Sequence, residues 1–234
     1  MTETSHPDIA GRPQPAPTKP SLRKTAYHHG NLRAALIEGG LALLEASGAA
    51  SLSMRQLARH IAVSQAAPYH HFPDKNALLA ALAAEGFRQR GRILRAASLK
   101  HPTLEWRIRS LVSGYVRFAQ ASPELFRLMY GPLIQNKNAY PELAEAATEA
   151  FDALAALMRD MITDFGIRHI DPLLATVSLL SLSHGLAHLI VDDRGSPTLA
   201  STVENDRAVV EHAAKMFVSG FNPRAAADPE PGRP

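Results

Sequence analysis

Ser53-Met-Arg-Gln-Leu-Ala-Arg-His-Ile-Ala-Val-Ser-Gln-Ala-Ala-Pro-Tyr-His-His-Phe-Pro-Asp-Lys75 is the stretch on which the reading of the fold turns. Ser53 and Gln56 have capping-box spacing, so the serine hydroxyl can accept from the third helical N–H while the glutamine reaches back. A short helix is predicted from there to His60. Ile61-Ala-Val-Ser64 breaks the pattern, Ser64 can cap a second short helix to His71, and Phe72-Pro73 stops it. Asp74 then caps a third helix, with Ala77, Leu78, Ala81 and Leu82 on one face. Two short helices joined by three or four residues have the spacing of a helix-turn-helix. Leu57, Ile61, Val63 and Phe72 can share a small core, with Ala58 at the crossing. That leaves Gln65, Ala66, Ala67, Tyr69 and His70 facing outward on the second helix, the part that would enter a major groove.

Outward from this stretch, apolar spacing is helical almost everywhere, and no alternating run is bounded by hairpin turns. The fold class is all-α. Upstream, a helix is predicted from Asn31 to Ser47, with Gly48 as its stop. Downstream, helices are expected over Thr103–Ala121, Pro123–Tyr130, Pro141–Phe165, Asp171–Val191 and Leu199–Phe221, punctuated by prolines and packed as one bundle. The polar, Pro-rich ends are too poor in apolar groups to offset ordering entropy. The expected organisation is a disordered tail over 1–25, a helix-turn-helix domain over 26–90, a ligand-binding and dimerisation domain over 91–221, and a second disordered tail over 222–234.

With 234 residues, 46% hydrophobic and 20% charged, the chain has enough apolar material for a core, which excludes a wholly disordered protein. The absence of Cys excludes a disulfide framework and thiolate chemistry and suits a reducing compartment, so the expected location is cytoplasmic. Charge is unevenly placed: residues 1–92 hold 11 Lys and Arg against 6 Asp and Glu, whereas residues 93–234 hold 14 against 16. A basic front third points to an anionic partner. Arg12, Lys19, Arg23 and Lys24 of the leading tail are either further contacts to phosphate or the minor groove, or simply solvated.

Over about residues 27–86 the sequence resembles the tetracycline-repressor-like (TetR) family of bacterial transcriptional regulators. The resemblance rests on Ser53 through Ser64, on Tyr69-His-His-Phe-Pro-Asp-Lys75 and on Ala77-Leu-Leu79. It implies that Arg55 and Gln65 read base edges, the guanidinium suiting guanine and the amide suiting adenine. Ala66 and Ala67 would let the backbone approach a thymine methyl. Ser53, Ser64, Tyr69, His70 and Lys75 would complete the DNA contacts, mostly at phosphates that set affinity and register. Two departures stand out. Ala62 occupies a turn site usually held by Gly, at a cost of about 1 kcal/mol if φ is positive there. Pro68 forfeits a first-turn bond to the Ser64 carbonyl. Tyr27-His-His-Gly-Asn-Leu32, Ala66-Ala-Pro-Tyr69, Trp106 and His184-Gly185 resemble one subset of the family.

The resemblance implies a dimeric repressor, a palindromic operator and release by a small-molecule inducer, with no cofactor and no metal. Trp106, Tyr115, Phe118, Phe126, Met129, Phe151 and His184 are the candidate ligand-pocket residues, since cavities between bundle helices are common ligand sites. Val210 on the last helix is the expected interface residue. The competing reading is a metal-binding helical protein or enzyme that uses His184, His188 and Asp192, spaced i, i+4 and i+8. No Walker loop, nucleophile elbow or HExxH supports catalysis, so no enzyme is expected. Leu173–Val191 has the length of a bilayer span without a formal charge, but serines and histidines interrupt it, so a helix buried by its own bundle and a second copy, not by a membrane, is expected.

Overall fold

In the computed structural model of the chain, which describes residues 32–96, 101–192 and 206–221, every regular element is helical. Residues Arg33–Pro234 form one packing unit; of the other, Met1–Leu32, only Leu32 is described. The predicted tails, the Asn31 cap, the four basic tail residues and the start of the last helix lie outside the described residues.

The first helix, α1, spans Leu32–Ser51 and is interrupted at Gly48, whose φ of 76° and ψ of 162° end the regular turns where the glycine stop was expected. α2 spans Met54–His60, and the Ser53 hydroxyl accepts from the Gln56 N–H at 3.2 Å, as the capping-box spacing requires. Gly39 sets the α1–α2 approach: a Cβ there would lie 2.5 Å from Ile61 Cγ2. After α2 the chain turns through Ala62 at φ 57°. The Val63 N–H bonds to the Ala58 carbonyl at 2.9 Å and the Ala62 N–H to Arg59 at 3.2 Å, the pair of bonds that defines a Schellman stop. Ala62 therefore carries the left-handed strain that a glycine would avoid.

The second helix of the motif corrects the sequence reading. Instead of an α-helix over Ser64–His71 there is a single 3₁₀ turn, Ala67–His70, with Ala66 as its uncapped start. Pro68 explains it. Without an N–H it cannot bond the Ser64 carbonyl; that carbonyl accepts from Ala67 at 3.1 Å instead, and Tyr69 bonds Ala66 at 3.1 Å. Ser64 is therefore not the cap that was expected: Ala66 stands in the cap position without a side-chain bond, and Ser64 contributes only a backbone turn bond through its carbonyl. Leu57, Ala58, Ile61, Pro68 and Phe72 close the small core, while Val63 remains half-exposed.

α3 runs unbroken over Lys75–Ala96, and Asp74 Oδ1 accepts from the Ala77 N–H at 2.8 Å to start it. The rest of the bundle is α4 (Leu104–Ala121), α5 (Pro123–Tyr130), α6 (Pro141–Asp164), α7 (Pro172–Asp192) and α8 (Asp206–Ser219). These match the expected helices within a residue wherever both ends are described. α3 packs along α6 and α5, and α4 along α7 and α8. At Gly86 the missing Cβ lets α5 close in, since one would lie 2.5 Å from Met129 Sδ.

α7 is long and apolar enough to cross a membrane by length and composition, with a mean hydropathy of 1.6 over its most apolar window. Ala175, Leu179, Ser183, Ala187 and Val191 face the bundle, whereas Leu173, Leu174, Val177 and Leu189 are exposed. Val210 is buried within its own chain at 5% exposure, so it is core; Met216 is the exposed apolar residue of α8.

Candidate functional site

Two places hold the residues singled out by sequence. The first is the outer surface of the helix-turn-helix. Arg55 on α2 and Gln65, Ala66, Tyr69 and His70 on the turn are exposed, with Ala67 half-buried beneath them. Tyr69, at 51% exposure, is a large aromatic held in solvent by the buried Pro68 and Phe72 on either side. Ser53 is exposed too, although its hydroxyl already serves as the α2 cap. Lys75 is half-buried, and its ammonium donates to the Ala50 carbonyl at 2.9 Å, leaving two N–H groups for an outside partner. Arg55 has no ion pair among the described residues. The surface is polar, cationic and supported by an apolar layer, which is what contact with a polyanion requires.

Two glutamates tie this head to the bundle. Glu45 of α1 accepts from the Leu125 and Glu124 backbone N–H groups, at 2.9 and 3.3 Å, and so caps α5. Glu142, at the start of α6, pairs with Arg33 of α1 and, at 2.8 Å, with Arg88 of α3. Burial raises the Glu142 carboxyl, but hydrogen bonds and charge from Arg88 and Arg33 outweigh it and hold the group below its ordinary value. Arg33 also lies over the Phe72 ring at 5.4 Å.

The second place is an interior cleft between α3, α4 and α7. Of the seven expected pocket residues, Tyr115 and Phe118 line it, together with Arg90, Leu111, Gly114 and Leu179 among others. Trp106 stacks on His101 at 4.4 Å and borders a different, polar depression beside Arg109 and Glu211. Phe126 and Met129 are fully buried core, Phe151 is half-exposed, and His184 sits behind Tyr115. The Tyr115 hydroxyl lies 3.1 Å from His184 Nδ1, and the Tyr130 ring centre lies 4.6 Å from that of His184. Burial, then the neighbouring Tyr130, pushes the Tyr115 phenol far up. Burial, then His188 and Arg90, pulls His184 down, so this imidazole is neutral at pH 7.

His184, His188 and Asp192 are drawn to different partners. His188 Nε2 lies 3.0 Å from Asp192, whose other oxygen accepts from Arg127 Nε at 2.6 Å, while His184 turns to Tyr115. Among the described residues no three His, Cys, Asp or Glu side chains gather as metal ligands. Sequence reasoning missed Arg90. It stands on the inward stripe of α3 with Ala83, Phe87 and Leu94, where an arginine among apolar positions was the signal.

Comparisons with known proteins agree with this geometry. Residues 36–82 match the family model described as bacterial regulatory proteins, tetR family, and residues 108–217 match the tetracyclin repressor-like C-terminal domain. The nucleoid occlusion factor SlmA of Vibrio vulnificus is 29% identical over 141 residues, covering 59% of this chain and 70% of its own. A solved protein of unknown function from Rhodococcus sp. RHA1 is 33% identical, with a TM-score of 0.69, covering 84% of this chain and 98% of its own. FadR of Bacillus subtilis, a transcriptional regulator solved with stearoyl-CoA, shares the fold at a TM-score of 0.63 and 14% identity over 81% of this chain and all of its own, 100%.

Proposed function

The chain belongs to the TetR family of bacterial regulatory proteins, and from that premise we propose that it is a dimeric, sequence-specific repressor, released from a palindromic operator by a small-molecule inducer. The observation that carries this reading is the exposed row Arg55, Gln65, Ala66, Tyr69 and His70 over the buried core of Leu57, Ala58 and Phe72. Residues 26–90 act as the DNA-binding part and 91–221 as the ligand-binding and dimerisation part, and the protein works in the cytoplasm without catalysis. Arg55 and Gln65 read bases, while Ser53, Ser64, Tyr69, His70 and Lys75 hold phosphates.

The exposed side of α7, with Leu173, Leu174, Val177 and Leu189, and Met216 on α8 supply the self-complementary apolar surface of the dimer. An inducer lowers operator affinity only by binding better to a dimer whose heads are wrongly spaced. Selection of bound duplexes from a random pool tests the reading. It should return a palindrome with half-sites about 34 Å apart. A pool with no enrichment at low salt, in the absence of any effector, would defeat it.

A further inference from the structure

Arg90 lies on the apolar side of α3 and is 5% exposed. Its Nη1 donates to the Tyr130 hydroxyl and its guanidinium sits 5.3 Å from the centre of the Tyr115 ring, but its Nε has no hydrogen-bond partner. No carboxylate pairs with it among the described residues. The titratable groups facing it are Tyr115, Tyr130 and, one step further, His184 and His188, none of them a carboxylate. A guanidinium keeps its charge in any protein setting, and a buried charge without a counter-ion is strongly unfavourable. The described residues leave the anion to be supplied from elsewhere.

The cleft beside Arg90 is a slot of about 40 Å³ that opens to solvent, and Ile93, Leu111, Gly114, Phe118 and Leu179 make its walls largely apolar. The Ser183 hydroxyl is already committed to the Leu179 carbonyl at 2.8 Å. We infer that this cleft takes an apolar small molecule bearing a single carboxylate, gripped on the Nε edge of Arg90, with its body along Leu111, Phe118 and Leu179. A guanidinium edge binds the two carboxylate oxygens side by side. A phosphate dianion would leave charge uncompensated, because among the described residues Arg90 is the one cation lining the cleft. The inference rests on the inducer-released reading for its biological meaning, though its chemistry stands on the cleft alone.

The test uses the full chain, with thermal shift and calorimetry for octanoate and 4-phenylbutanoate against octanamide and 4-phenylbutanamide. The acids are expected to raise Tm and to bind about tenfold or more tightly than their amides. Arg90→Gln should erase that preference. Gly114→Leu should abolish binding with Arg90 in place, because a Cβ at Gly114 meets only Ile93 Cγ2, at 4.0 Å, and the longer side chain fills the cleft. Arg90→Met should leave the ligand-free Tm equal or higher, whereas a purely structural arginine would lower it. Amides that bind as well as acids, acid affinity unchanged in either Arg90→Gln or Gly114→Leu, or no binding by any probe would overturn the inference. Duplex selection run in parallel separates the two readings. Selected duplexes without acid preference sink the inference alone, and acid binding through Arg90 without selected duplexes sinks the repressor alone.

Discussion

The head and the bundle solve opposite problems with the same material. Around the helix-turn-helix the polar groups face out, Arg55, Gln65, Tyr69 and His70 standing on a thin layer of Leu57, Ala58 and Phe72. In the bundle several outside charges are paired, as Arg107 is with Asp164 and Arg127 with Asp192, while the buried Arg90 Nε has no hydrogen-bond partner among the described residues. A surface that meets a long polyanion needs donors in a fixed row, which a rigid local motif provides. A site for a small molecule needs enclosure, which only several helices together provide. The two regions are joined through Glu45 and Glu142.

The largest test of this contrast is to separate the two heads. Val177→Glu with Leu189→Glu, both on exposed positions of α7, should halve the mass seen by light scattering and weaken operator binding by about 3 to 5 kcal/mol through lost bivalency. An unchanged dimer mass would move the interface elsewhere. Next, Gln65→Ala or Arg55→Ala should cost about 1 to 3 kcal/mol on the selected operator and relax preference at one base pair, leaving random DNA almost untouched. Lys75→Ala should weaken all sequences alike; equal losses on specific and random DNA for all three variants would contradict the assigned roles.

Smaller still, Ala62→Gly should stabilise the chain by up to about 1 kcal/mol and raise Tm, because φ is 57° there. A lower Tm would mean that the Ala62 methyl group packs usefully. The smallest effect concerns pH. His184 is held below its ordinary value of 6.5, so the unfolded chain takes up a proton first and stability falls as pH drops below about 6.5. His184→Gln should flatten that part of the Tm profile between pH 7.5 and 5.5, and an unaltered profile would place the linkage in another group.

What could be read from sequence was what depends on near neighbours. Ser53 and Gln56 are three residues apart, and their cap formed as spacing required. The strain at Ala62 was visible because the turn type dictates φ. Pro68 was legible only in part: the lost bond to Ser64 was foreseen, but not that it would shrink the helix to a 3₁₀ turn, because that depends on how Phe72 and Pro68 settle into the core. The cleft was hardest. Trp106 and Met129 look as suited to a pocket as Tyr115 and Phe118, and only the packing of α3 against α4 and α7 separates them. Glu142 meets Arg33 across 109 positions, beyond the reach of any local rule.

α3 is one uninterrupted rod from Lys75 beside the turn to Ala96 beyond the cleft. Fifteen residues separate Arg90 from Lys75, about 22 Å along the axis, so a tilt of about 10° hinged near the cleft swings the far end by about 4 Å. Two-fold symmetry would double the change between the reading heads, to about 8 Å out of a spacing of about 34 Å. If the proposed ligand wedges in at the guanidinium, a lever of that length would turn it into a misfit that no rotamer adjustment at Gln65 could absorb.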